Sequence, residues 1–451
     1  MSTERLGKAL AICALLVVVV LVVPASAESR VRIVRLSEVQ GSVQIDRAAG
    51  EGLEKAFLNL PVIEGSRLKT GDDGRAEVEF EDGSALRIVP NSEIEFTRLA
   101  LGDEGEKLNT VQLNTGIAYL NVRSKKGDQF TLQFGRESVT VAESAHFRVD
   151  LDTTEATLAV FKGKVNGTGP AGEFEVAEKH SATFDLSRDT YEVAKNFEEN
   201  PYDNWDKKQT EYHDRYMSSG THDIQSPYAY GLSDLNYYGS YMNCPGYGFG
   251  WQPYLAGAGW SPFQDGAWAW YPGFGYMWVS GYPWGWMPYR YGSWAFAGGC
   301  GWMWQPGLWN TWYAFPRVVR PPVRVRVPTP PTRGRGIVVV GRGLAANPAK
   351  PPTRVAIDPG SASFGVPRGS VRHLDRVAKE ADKGTRPVMV STDSRAPVRS
   401  APTTTGSRDS GSSGTRPGSS MGGSRSPSSP RMSTPSHTSS SPPSRSSSPH
   451  R

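Results

Sequence analysis

Between residues 239 and 316 the aliphatic side chains that normally build a core are scarce, and tryptophan, tyrosine, glycine and proline stand in their place. Two 26-residue segments, GWSPFQDGAWAWYPGFGYMWVSGYPW (259–284) and GWMPYRYGSWAFAGGCGWMWQPGLWN (285–310), follow one another directly. Aligned without a gap they agree at eleven positions, among them Trp260/Trp286, Gly266/Gly292, Trp268/Trp294, Gly273/Gly299, Gly275/Gly301 and Trp278/Trp304. This is an internal repeat. A degenerate copy precedes it, with Gly239, Tyr241, Gly246, Gly250 and Trp251 near the same offsets. Large residues alternate in Trp268-Ala269-Trp270 and Trp302-Met303-Trp304, which predicts strands, and glycine and proline predict the bends between them.

Two uses of the tryptophans follow. Trp260, Trp268, Trp270, Trp278, Trp286, Trp294, Trp302 and Trp304 can form the core of this module, since each aromatic buries about 150–250 Å² and tryptophan is usually buried. Alternatively, part of the set faces solvent as a row on which sugar rings stack. Cys244 and Cys300 lie in different copies at non-equivalent positions. In an oxidising compartment they can form one disulfide stapling the copies, and two free thiols are the alternative.

The compartment is read from the first residues. Arg5 and Lys8 precede an apolar run, residues 9–23, and Pro24-Ala25-Ser26-Ala27 supplies an A-x-A cleavage site. This predicts a signal peptide over residues 1–27, because fifteen apolar residues are short of the about 20 needed to span a bilayer. The expected destination is the periplasm or the exterior. At the other end, residues 317–451 hold 23 Lys/Arg against 6 Asp/Glu, while the rest of the chain is acidic. Proline with arginine, then serine, dominates there, which predicts a disordered basic tail with an apolar island at 337–340 and a marginal helix at 371–383. Contact with a membrane is expected only through an uncleaved signal or this tail.

Residues 31–186 alternate with period two. Ala76, Val78 and Phe80 interleave with Glu77, Glu79 and Glu81, predicting a strand with one wet face. Leu86/Ile88, Ile94/Phe96, Val111/Leu113, Phe130/Leu132/Phe134, Val139/Val141, Phe147/Val149/Leu151, Leu158/Val160 and Phe174/Val176 repeat the pattern between turns such as Asp72-Asp73-Gly74. The fold class is all-β. Asn200-Pro201 then predicts a helix start, with Trp205, Gln209, Tyr212 and Tyr216 on one face, inside a bridge at 187–238.

The run LPVIEGSRLKTGDDGRAEVEFEDGSALRIVPNSEIEF from Leu60 resembles the FecR domain of bacterial envelope proteins. Gly41-Ser42-Val43 and Val160-x-x-Gly163-x-Val165 extend the similarity to about 31–185. Where such domains usually carry Gly-Thr-x-Phe, this chain has Ser144-Ala145-His146-Phe147. The resemblance implies an extracytoplasmic β domain, often a sensor relaying a surface signal. The bridge and repeat also resemble a Trp/Gly-rich region found behind FecR-like domains, whose role is not established.

Catalytic chemistry finds little support. The seven histidines show no metal-ligand spacing, and neither mature cysteine has a neighbouring base. Gly246-x-Gly248-x-Gly250 lacks the lysine and helix of a phosphate loop. Basic tail residues lack interleaved aromatics, against specific nucleic-acid recognition. The expectation is a non-enzymatic envelope protein that binds a polysaccharide or partner protein and needs no metal or cofactor. A sensor of FecR type is the alternative. A hydrolase would need carboxylates or a Ser/His pair converging in a pocket.

Overall fold

The computed structural model describes residues 32–218, 224–319, 321–322, 325, 327–341, 353–384 and 386–392. The signal segment 1–27 and tail residues 393–451 lie outside the described residues. Seventeen strands, from Val34–Gln40 to Thr190–Ala194, hydrogen-bond into one sheet. The apolar partners in every predicted alternation are buried. Lys107–Val122 changes partners midway. Its first half pairs with Glu93–Leu101 and, in parallel, with Gln129–Phe134, and its second half pairs with Ala85–Ile88 and Ala145–Leu151. Gly116 sits at the change with φ +83°, where a Cβ would overlap Ser92 and Asn91. The two halves enclose the core, as when Phe80 meets Phe130 edge-on at 4.9 Å.

Two expectations need correction. The sheet runs past 186: Thr190–Ala194 pairs with Ser181–Asp185. Four of its five residues are exposed and only Tyr191 packs inward, against Phe174 and Phe184, so hydropathy carries no trace of it. More consequentially, the wet face of Arg75–Glu79 is not wet. Glu77, Glu79 and Glu81 are 0%, 1% and 7% exposed. Later parts of the chain cover them.

The first cover is helix α1 (Asp203–Met217), which starts three residues after Asn200. Asp203 and Asp206 are three apart and so share a face. That face, rather than the aromatic one alone, docks: Asp206 and His213 are buried beside Tyr212. Helix α2 (Leu232–Tyr238) follows and enters the aromatic module.

Each repeat copy is one β-hairpin. Gly266–Tyr271 pairs with Gly275–Ser280, setting Trp268 opposite Trp278, and Ser293–Ala297 pairs with Gly301–Gln305, setting Trp294 opposite Trp304. The degenerate copy makes a third, Gly239–Cys244 with Gly248–Pro253, and sets Tyr241 opposite Trp251. Gly273 and Gly275 both take positive φ in the turn, as do Gly299 and Gly301. Gly266 has another reason: a Cβ there would overlap the Trp278 indole. Cys244 and Cys300 form a disulfide joining the first hairpin to the third. Between the two repeat hairpins lies the short helix α3 (Met287–Arg290).

The described part of the predicted disordered tail belongs to the fold. Ile337–Val340 adds a strand to Gly266–Tyr271, and Val318–Val319 pairs in parallel with Ser293–Ala297. Arg354–Ile357 pairs with Val388–Ser391, and Leu374–Ala381 forms helix α4. Val355, Ile357, Val366, Val371 and Leu374 are buried. Sparse apolar residues suffice here because they close an existing surface rather than build a core alone. Among the described residues no helix is long and apolar enough to cross a membrane.

Candidate functional site

The outer face of the β domain carries a row of cross-strand partners: Glu77 opposite Arg87, Arg87 opposite Tyr119, and Tyr119 opposite Arg148. Helix α1 reads this row. Arg87 donates to Glu77 and Asp206, both at 2.7 Å, and Arg148 donates to both oxygens of Asp203 at 2.7 and 2.8 Å. Tyr119 donates to Asp203 at 2.9 Å, and His146 lies 2.7 Å from Asp206.

Beside this row a second cluster joins four distant stretches. Arg35, opposite Glu79 in the sheet, contacts Glu79 at 2.8 Å and Asp234 of α2 at 2.7 Å. Arg368, from the stretch expected to be disordered, donates to Glu77 at 2.5 Å, to Asp234 at 3.0 Å and to the Ser37 carbonyl at 2.9 Å. His213 Nε2 is 3.0 Å from Glu77 Oε1, and its Nδ1 is 2.8 Å from Ser233 Oγ. Tyr212 donates to Asp234 at 2.8 Å. Burial alone would raise the carboxyl pKa of Glu77, but His213, Arg368 and Arg87 overrule it and hold the group well below its ordinary value. The same contest, won by Arg368 and Arg35, lowers Asp234. Burial opposes the charge of Arg368, yet Asp234 and Glu77 raise its pKa well above the usual value. The groups therefore stay ionised and locked to one another.

A cleft of about 610 Å³ opens next to this cluster, where the β domain, α1, the aromatic module (through Tyr238, Gly281 and Pro283) and the C-terminal stretch meet. Glu38, Gln40 and Arg75 line one side, Trp205, Lys208 and Gln209 another, and residues 364–368 a third. Arg75 lies over the Trp205 ring, 5.2 Å from its centroid. Glu38 Oε2, Trp205 Nε1 and Gln209 Oε1 are covered in the cleft wall and have no hydrogen-bond partner among the described residues. Burial pushes the Glu38 carboxyl above its ordinary value, against the pull of Arg368.

The tryptophans read as a binding row are elsewhere. Trp260, Trp268, Trp278, Trp286, Trp294, Trp302 and Trp304 are at most 4% exposed, and Trp270, half-buried, has Arg335 5.0 Å over its ring. They pack on one another and on neighbouring rings, as Trp268 does edge-on to Trp278 at 5.3 Å. A solvent-facing stacking row is thereby overturned, because with few aliphatics available the rings are consumed as core. Ser233 and His213 do come together, but Ser233 is fully buried and neither lines the cleft. Among the described residues no group of three His, Cys, Asp or Glu is placed to hold a metal ion. Sequence reasoning missed Glu38 and Arg368 altogether and listed Trp205 and Gln209 only as a docking face. The one available signal was the run of acids at 77, 79 and 81, which two arginines in flanking strands could have answered.

Residues 66–166, the centre of the β domain, match the family model described as FecR protein. This part of the chain is a FecR domain. The match is narrower than the 31–185 of the sequence resemblance, whose outer strands complete the same sheet. A second model, described as a family of unknown function (DUF6600), matches residues 232–321, which take in α2 and the three hairpins behind the FecR domain. Two crystal structures of a candidate anti-sigma factor from Parabacteroides distasonis ATCC 8503, at 2.50 and 1.65 Å resolution, are similar to part of the chain at 16% identity and a TM-score of 0.26. The similarity covers 29% of this chain and 59% of that one. No curated protein matches the chain.

Proposed function

We propose that this chain is an exported, non-enzymatic binding protein of the cell envelope, in which the FecR domain and the aromatic module act as one unit whose ligand sits in the cleft at their junction. The observation that carries this reading is the convergence of Glu38, Trp205 and Gln209, each with an unpartnered polar atom, in the wall of a single cleft. Buried polar atoms are nearly always satisfied, and their concentration in one concave site is the mark of a binding surface. Binding rather than catalysis is favoured because Glu38 is the one carboxylate among the described residues lining the cleft and the titratable groups of the neighbouring cluster are spent on each other in ion pairs. The FecR domain supports a regulatory setting, with the cleft as the receiving end of a signal.

In-cell photocrosslinking tests this. A photoreactive residue replacing Asn204, which lines the cleft, is expected to yield a discrete adduct that the same residue at Lys164, exposed on the remote strand Lys164–Gly169, does not. Identical products from both positions, or none from Asn204, would refute the reading.

A further inference from the structure

We propose that the ligand of the junction cleft is a small saccharide, held through its hydroxyl groups by Glu38 and Gln209. The proposal rests on the reading of this cleft as the binding site. Both side chains line the cleft; the Glu38 carboxylate accepts hydrogen bonds, and the Gln209 amide accepts and donates. A ligand that answers both groups fully must both donate and accept. A hydroxyl does both, an ammonium group only donates, and a carboxylate or phosphate only accepts.

Charge points the same way. An anion would meet Glu38, and a cation would meet Arg75 and Lys208, which line the same cleft. A neutral polyol meets neither penalty. One oxygen of each group, Glu38 Oε2 and Gln209 Oε1, is covered and without a partner among the described residues. Rotation about the terminal bonds exchanges the two oxygens of Glu38 and the oxygen and nitrogen of Gln209, and side-chain changes of this size commonly accompany binding. A hydroxyl satisfies either face of the amide, so the match survives that rotation. A ligand hydroxyl that turns either group and pairs its covered atom offsets the cost of leaving that atom unpaired. Phe57, Phe364 and Val366 supply apolar wall for the C–H faces of a sugar ring. The volume falls within the about 300–1,000 Å³ of small-molecule sites.

The test is saturation-transfer NMR on the full mature chain with maltose, cellobiose and N,N′-diacetylchitobiose, beside citrate, spermidine and trialanine. At least one saccharide is expected to show transfer to its ring C–H protons, with affinity reduced tenfold or more in Glu38→Leu and in Gln209→Leu. Lys164→Ala should bind as the parent does, and circular dichroism should show every variant folded. Citrate, spermidine or trialanine binding with the same dependence on Glu38 and Gln209 would overturn the saccharide assignment while upholding the cleft as the site. Silence from all six with an adduct at Asn204 would also overturn the saccharide and leave the cleft to a larger partner. Silence with no adduct would remove both.

Discussion

Arg368 donates from Nε and Nη2 to the two carboxylate oxygens of Asp234, each at 3.0 Å, across 134 residues of sequence. The same guanidinium reaches Glu77, so one side chain neutralises a FecR-domain carboxylate and a module carboxylate together. Arg368→Ala would leave both buried anions short of a cation. It is expected to cost about 3–5 kcal/mol, the usual penalty for breaking a buried pair on one side. Urea unfolding of the parent, Arg368→Ala and Arg368→Lys checks this; lysine keeps the charge without the fork and should fall between them.

The cluster also sets a pH dependence. Glu77, Asp206 and Asp234 have folded-state pKa values below their ordinary ones, because their cationic partners overcome the opposing effect of burial. The folded state therefore binds fewer protons than the unfolded one. The stabilisation is fully present above the ordinary carboxylate pKa of about 4 and is lost as pH falls through the depressed folded-state values. A urea midpoint that is level between pH 7 and about 5 and drops below about 4 is expected, with a shallower drop in Asp234→Asn.

Glu38 behaves in the opposite sense. Burial raises its carboxyl pKa, so ionised Glu38 weakens the fold at neutral pH, and that penalty fades as pH falls through the raised folded-state value and is gone below the ordinary one. Glu38→Gln should raise the urea midpoint at pH 7, with the gain shrinking toward pH 4. Stabilisation at a residue proposed to bind ligand is the trade expected of functional sites.

Reduction should loosen the module. The Cys244–Cys300 disulfide closes a loop with a sequence separation of 56, and a link of that length contributes about 4 kcal/mol on the chain-entropy estimate. A Cys244→Ser/Cys300→Ser double variant should melt earlier than the oxidised parent, and adding reductant should lower the melting temperature of the parent but not of the variant.

Trp278 is fully buried and opposes Trp268. Trp278→Ala is expected to destabilise by about 3–5 kcal/mol as a large-to-small core change. Once corrected for the unfolded fraction, saccharide affinity should not change. A loss of affinity in fully folded Trp278→Phe would return the repeat to the ligand.

The all-β domain was legible because period-two hydropathy reports directly which side of a strand faces a core. The repeat was equally legible as three strand–turn–strand units, since its glycines fall where positive φ or a packed indole demands them. Hydropathy misled at Glu77, Glu79 and Glu81. Alternation distinguishes apolar from charged faces, but not charged-and-exposed from charged-and-paired, and Arg35, Arg87 and Arg368 come from three separate stretches. Composition misled again at 353–392. A segment too poor in apolar residues to fold alone can still be ordered when a surface awaits it, and one arginine supplies much of the specificity. The cleft was invisible for the same reason, being made of residues that only the tertiary fold assembles.

Glu77 and Arg368 are separated by 291 residues. At about 5–20 residues per second the ribosome delivers the arginine roughly 15–60 s after the glutamate, ample time for the β domain to form its core first. Until Arg368 arrives, that domain holds Glu77 with Arg87 and Glu79 with Arg35 alone, as a band of ion pairs that the later segments cover. Closure of the junction therefore depends on a contact of very large sequence separation, the kind of pairing that forms slowly in folding.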